Sequence, residues 1–380
     1  MKSSSRQVTC SVRRVATQAR DPGSDDFGVM FQALRETTTS PVYTEGYPQL
    51  LTDLYDFAPS ASDLDLTATA WLERDMPVVE ELAAELAVLL KIPHDSTVGE
   101  VWEAAGTKWA VPADRFTETY ERVAKACNEY ARNHLVEVPA DDTLLLDATP
   151  AYMTSVITGG QDIAVDYLTN SPRACLYITQ GKATSLLTLI NILVHEYSHG
   201  INFVLSAERA ASPLLNLAGP MQVPLTEGQA FWREWEYWHA AADLFGRKDL
   251  DASQQAYLKL YGATPAAQAQ AIRAAQFETY IWRVVRHLRA MCDVQVNMGW
   301  RTVVDFLDWA AERTGLSKEF LFGECFTFLA QPGYAPAYGI DGMRYGELQR
   351  KSAKTQHDFN TTASGMGFYP WTQCVTRLSA

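Results

Sequence analysis

Apolar residues recur along most of this chain at intervals of three and four, the spacing that gathers them on one face of an α-helix. The pattern predicts an amphipathic helix from Val78 to Leu90 and a longer one from Asp114 to Leu135, where Phe116, Tyr120, Val123, Cys127 and Tyr130 share a stripe. Such a stripe is core-facing. A short helix is expected to begin over Met30 to Arg35, and the aromatic stretch from Pro48 to Phe57 to pack another. Thr264 before Pro265 is a cap followed by proline at the first helical position, opening a helix that runs past Tyr280, Arg286 and Arg289 to about Asp293. Further helices are predicted from Thr302 to Arg313 and from Ser317 to Ala330, then a loop from Gln331 to Tyr345 leading into a helix that ends near Lys351. Between Thr143 and Thr179 the periodicity breaks down, leaving Leu144 to Leu146 and Ala174 to Thr179 as strand candidates. The expected fold is mainly α with a small β element.

The most informative stretch is an apolar run from Leu186 to Val194 that feeds into His195-Glu196-Tyr197-Ser198-His199. Thr184 or Ser185 can cap the helix it implies. At 3.6 residues per turn His195 and His199 lie one above the other, so their imidazoles can reach a single metal ion. Glu196, rotated by about 100°, can address a water beside that ion without ligating it; this is the zincin arrangement, with zinc (Zn2+) as the cofactor. The strand at Ala174 to Thr179 lies just upstream, where it is either an edge that holds an extended peptide or a structural hairpin.

A His-His pair needs a third ligand. After a proline-rich loop over residues 207–224, Thr226 with Gln229 forms a capping box, so a helix should start there with Glu227 in its first turn. Glu227 and Glu234 are two turns apart on one face; Glu227 is the preferred third ligand, and Glu234 the preferred partner of a ligating histidine. In the loop ahead of the last of these helices, Tyr338, with Tyr334 in reserve, can donate a phenol hydroxyl to an oxyanion formed over the metal. Both tyrosines have packing as their alternative role.

Composition narrows the classes. The 380 residues can bury a large core, and 32 basic against 45 acidic side chains give a net charge of −13. That balance argues against nucleic acid and anionic lipid as partners, and no apolar run approaches a membrane span. Six cysteines without paired spacing read as core thiols of a reducing compartment, so a cytoplasmic location is expected. Residues 1–27 read as a disordered tail and 28–380 as one helical domain, with an N-terminal part over 28–147 and a catalytic part over 148–380.

From about residue 148 to 375 the chain resembles the bacterial family labelled domain of unknown function 885, helical relatives of the gluzincin metallopeptidases. The resemblance rests on Glu227-Gly228-Gln229-Ala230 through Glu234, on Arg286, Arg289 and Asp293 before Gly299-Trp300, and on Glu324, Pro332-Gly333-Tyr334-Ala335, Tyr338 and Glu347-Leu348. His357-Asp358 with Gly365 fits more loosely. It implies a helical clamshell with a deep cleft, zinc at its floor, and peptidase chemistry. This chain departs from the family at the histidine helix, which there reads His-Glu-x-x-Pro-Gly-His, and at Asn297 and Tyr334, both expected near the cleft.

The expectation is a zinc-dependent hydrolase of peptide or related amide bonds. Zinc is held by His195, His199 and Glu227, with Glu196 as general base. The alternatives are a biosynthetic zinc enzyme acting on one small-molecule amide or ester, and a non-catalytic binding protein of the same fold. Arg286, Arg289 and Arg344 are each open as substrate-carboxylate clamps or as buried ion-pair partners.

Overall fold

The longest periodic stretches become the longest helices. The computed structural model describes residues 46–140, 143–153, 160–164, 172–179, 185–209, 223–329, 331–366 and 369–379. The expected tail over 1–27 and the helix at 30–35 lie outside them. Thirteen α-helices and one three-stranded sheet are formed by the described residues, so the fold is mainly α, as expected.

Helix α1 (Tyr47–Leu54) and the 30-residue α2 (Ala61–Leu90) come first. The second begins well before Val78, where the sequence pattern starts it, and runs through Pro77. An interior proline costs roughly 3 kcal/mol. The offset is burial: Leu64, Ala68, Leu72, Met76, Val79, Leu82 and Leu86 form one inward stripe. That stripe faces α8 (Pro265–Asn297), capped by Thr264 with proline at its start, as its sequence predicts. Between the two helices Arg283 Nε donates to Asp75 Oδ2 at 2.9 Å, and His287 Nε2 lies 3.3 Å from the same oxygen.

The chain between them supplies α3 (Val98–Lys108) and α4 (Phe116–His134), then β1 (Leu144–Ala148), β2 (Gly160–Ala164) and β3 (Ala174–Ile178). β3 is the central strand, parallel to β1 and antiparallel to β2. Of the two readings of the strand before the metal helix, the peptide-holding edge is ruled out and the structural one stands. Both of its sides are paired, and the unpredicted β2 is the strand packed most extensively on α5 (Leu186–Arg209). Ser185 Oγ caps α5 by accepting from the Thr188 N–H at 3.0 Å.

Helix α6 (Val223–Leu244) starts three residues before Thr226, so the expected capping box is not used. Thr226 lies inside the helix, and the Gln229 amide donates to Ser364 Oγ instead. Beyond α7 (Ala252–Lys259) and α8 come α9 (Val303–Thr314), α10 (Lys318–Leu329), α11 (Pro336–Lys351), α12 (Gln356–Ser364) and α13 (Trp371–Ser379). Tyr338 thus sits in the first turn of α11, not in a loop as expected. Pro332 and Gly333 (φ +84°) occupy the centre of a turn closed by the Tyr334 N–H to Gln331 O at 3.1 Å. Proline followed by a positive-φ glycine is the pairing a type II turn requires. Asp293 and Tyr55 clamp Gly333 through its N–H and its carbonyl at 2.8 and 2.7 Å.

Candidate metal centre

Helix α5 places His195 and His199 one turn apart, and α6, packed along it, carries Glu227 up to both. The two Nε2 atoms are 3.3 Å apart, and Glu227 Oε2 lies 3.4 Å from that of His195 and 3.3 Å from that of His199. Ligands about 2.0–2.1 Å from a tetrahedral zinc ion stand roughly 3.3–3.4 Å from one another. Glu227 Oε2 is also buried with no hydrogen bond of good geometry, a costly condition for a carboxylate oxygen that a cation relieves. The three expected ligands therefore converge, and their chemistry and spacing fit a divalent ion of the zinc type.

The surrounding contacts hold that geometry. Glu234, 2% exposed, accepts from His195 Nδ1 at 2.7 Å, from Asn191 Nδ2 at 2.9 Å and from both terminal nitrogens of Arg286. With Nδ1 committed to Glu234, Nε2 is the His195 nitrogen that faces Glu227 and His199. The Tyr334 hydroxyl donates to the other Glu227 oxygen. Burial opposes charge on both imidazoles, but the facing carboxylates overrule it, raising His199 and pushing His195 up to about 9. Burial likewise opposes the Glu227 carboxylate, which the two imidazoles hold well below its usual range.

Glu196 points beside the triad. Its Oε2 accepts the backbone N–H of Asp162 on β2 at 2.8 Å. Burial raises its pKa above the ordinary glutamate value against the lowering pull of both histidines and that N–H. The Tyr338 ring lies nearly parallel to His195, at 6.0 Å and 12°. Glu196, His195 and Tyr338 all line one cleft of about 1370 Å³ between α3, α5, α8 and α10.

His195, His199 and Glu227 come together, Tyr334 donates to Glu227, His195, Glu196 and Tyr338 line the cleft, and Glu234 supports His195. Arg286 belongs to Glu234, and Arg344 pairs with Asp341 at 3.0 Å outside the cleft lining. Asn297, expected near the cleft, instead donates to the Asp293 carbonyl and carboxylate at 2.7 and 2.9 Å, behind the Gly333 turn. Two neighbours were missed. Asn191 stands four residues before His195 on the same helical face, so spacing alone could have found it. Asp162, whose carboxyl burial and Glu196 push up to about 8, lies on a strand without a periodic signal.

The fold and site define a mainly α protein with a His-His-Glu centre and an adjacent glutamate in a large cleft. No family model matches the chain, and no curated protein matches it. Among solved structures it is similar to a candidate lipoprotein from Colwellia psychrerythraea, with TM-score 0.62 and 15% identity over 93% of this chain and 59% of that one. It is also similar to a candidate lipoprotein of unknown function from Shewanella oneidensis, with TM-score 0.65 and 12% identity over 97% of this chain and 69% of that one. At these identities the likeness is one of fold. The chain spans only 59% of the Colwellia protein's length.

Proposed function

We propose that this protein is a zinc-dependent hydrolase of peptide or related amide bonds, related to the family labelled domain of unknown function 885. The observation that carries the reading is the mutual spacing of 3.3–3.4 Å among His195 Nε2, His199 Nε2 and Glu227 Oε2. His195, His199 and Glu227 would hold the zinc ion, which would supply Lewis acidity and lower the pKa of a water there. Glu196 takes a proton from the attacking water and passes it to the leaving amine. Tyr338 donates its hydroxyl to the carbonyl oxygen as negative charge develops there. Tyr334, committed to Glu227, positions that ligand.

The cleft favours a peptide over one small molecule: at about 1370 Å³ it exceeds the ~300–1,000 Å³ usual for small-molecule pockets. The retained general base separates the reading from a binding protein of the same fold. The proposal includes a cytoplasmic location, which the buried thiols of Cys127, Cys175, Cys292, Cys325 and Cys374 support. No helix formed by the described residues is long and apolar enough to cross a membrane.

Mass spectrometry of a mixed peptide library incubated with zinc-loaded protein tests the reading. Cleavage is expected, and Glu196→Gln should reduce it by roughly 10²–10⁴ while zinc stays bound. A library left intact by wild-type protein, or full activity in the variant, overturns it.

A further inference from the structure

Two arginines line the cleft, and only one is committed to the metal centre. Arg286 gives both terminal nitrogens to Glu234. Arg289, one turn further along α8, faces the same cleft and pairs with Glu324 on α10. Its guanidinium lies 5.8 Å from the centroid of the Tyr338 ring and 5.9 Å from that of Trp282. The Tyr338 ring in turn lies 6.0 Å from that of His195. A fixed positive charge is therefore held one aromatic ring away from the metal ligands.

Its partner differs from that of Arg286 in one respect. Glu234 is sealed, with a side chain 1% exposed, whereas Glu324 is 23% exposed and lines the open cleft. Swinging a partly hydrated carboxylate into water costs far less than stripping one from a sealed site. An incoming carboxylate of the same charge and planar shape then takes over the guanidinium fork.

We propose that Arg289 receives the free C-terminal carboxylate of a short peptide substrate, and that Glu324 occupies its place until the substrate enters. This rests on the hydrolase reading of the same site and gives it a substrate class: peptides cut close to their C terminus. The two ring spacings, 5.8 and 6.0 Å, limit the stretch between the cut bond and the carboxylate to at most about three extended residues of ~3.3–3.6 Å each. Arg289 acts here as a specificity residue.

The test separates binding from cleavage. Acetylated tripeptides of mixed sequence, in free-acid and C-terminally amidated forms, are equilibrated with zinc-loaded Glu196→Gln protein, and the retained peptides are quantified by mass spectrometry. Free acids should be retained at least tenfold over amides. That ratio should fall to near one when Arg289→Gln is added, and rise when Glu324→Gln is added, because the internal competitor is gone. A merely structural ion pair predicts no gain from Glu324→Gln. A ratio near one in the parent protein, an unchanged ratio with Arg289→Gln, or no retention of either form overturns the assignment. Should the Arg289 variant fail to fold, the Glu324 variant decides, and an unchanged or lower ratio is then fatal. The same peptides with unsubstituted Glu196 report on the hydrolase reading separately. Carboxylate-dependent retention without cleavage sinks that reading and leaves the carboxylate site; equal cleavage of acids and amides sinks the carboxylate site and leaves the hydrolase.

Discussion

At the scale of single residues, the centre is a case of one side chain deciding what another can do. Glu234 fixes which nitrogen of His195 faces the ligand cluster, and Arg286 and Asn191 keep Glu234 ionised and in place. Burial alone would raise the Glu234 pKa, yet Arg286 and His195 hold it below the ordinary value. Replacing Glu234 by Gln removes the charge and keeps the shape. The expected result is a loss of zinc affinity of about 10–100-fold, read by competition with a chromophoric chelator; unchanged affinity would mean that Glu234 does not support the ligand. Much of this scale was legible beforehand. The i, i+4 histidines, the adjacent Glu196 and the pair Glu227 and Glu234, two turns apart, are local helical spacings that a sequence states directly. Asp162 was not, because its approach to Glu196 is made by a strand that shows no alternation and is held by tertiary pairing.

Elements bring these residues together through close backbone contact, chiefly between α6 and α11. A Cβ on Gly228 would stand 2.8 Å from the Asp341 carbonyl carbon, and one on Gly342 only 2.0 Å from the Phe231 ring. A Cβ on Gly346 would stand 2.5 Å from the Trp232 ring. These glycines let the helix that carries Glu227 sit against the one that carries Tyr338. Gly342→Ala should therefore destabilise the fold by about 1–3 kcal/mol, seen as a lower urea midpoint, and should weaken activity by shifting Tyr338. An unchanged midpoint would contradict the packing account. At this scale the sequence was partly legible. Periodicity found α4, α8, α9 and α10 to within a few residues. It cut α2 short at Pro77, because local rules count the proline and not the long stripe buried against α8. It started α6 late for a similar reason: Thr226 and Gln229 have the right spacing for a capping box, but a contact with Ser364, far away in sequence, claims the glutamine.

For the molecule as a whole, the two longest helices are joined by buried charge, and the loop before α11 is anchored on Asp293, which is 1% exposed. Burial pushes the Asp293 carboxyl up to about 7, despite donors from Tyr47, Gly333 and Asn297. In the unfolded chain the same group titrates near ~3.9, so between those values the folded state binds more protons. Its stabilising contribution is complete below about pH 4 and is lost as pH rises through 7, by at most about 1.4 kcal/mol per pH unit. Asp341, also raised to about 7 by burial, adds to the same trend. Urea unfolding from pH 5 to 8 should show stability falling, and Asp293→Asn should flatten the slope; an equal slope in the variant would contradict this. The central claim concerns the convergence of α5 and α6 on one cation, and metal analysis of purified protein equilibrated with zinc and then gel-filtered tests it most directly. The account predicts close to one zinc ion per chain in the wild type and loss of most of it in both His199→Ala and Glu227→Ala. A folded wild-type protein that emerges without metal, or variants that retain as much zinc as the wild type, would contradict it.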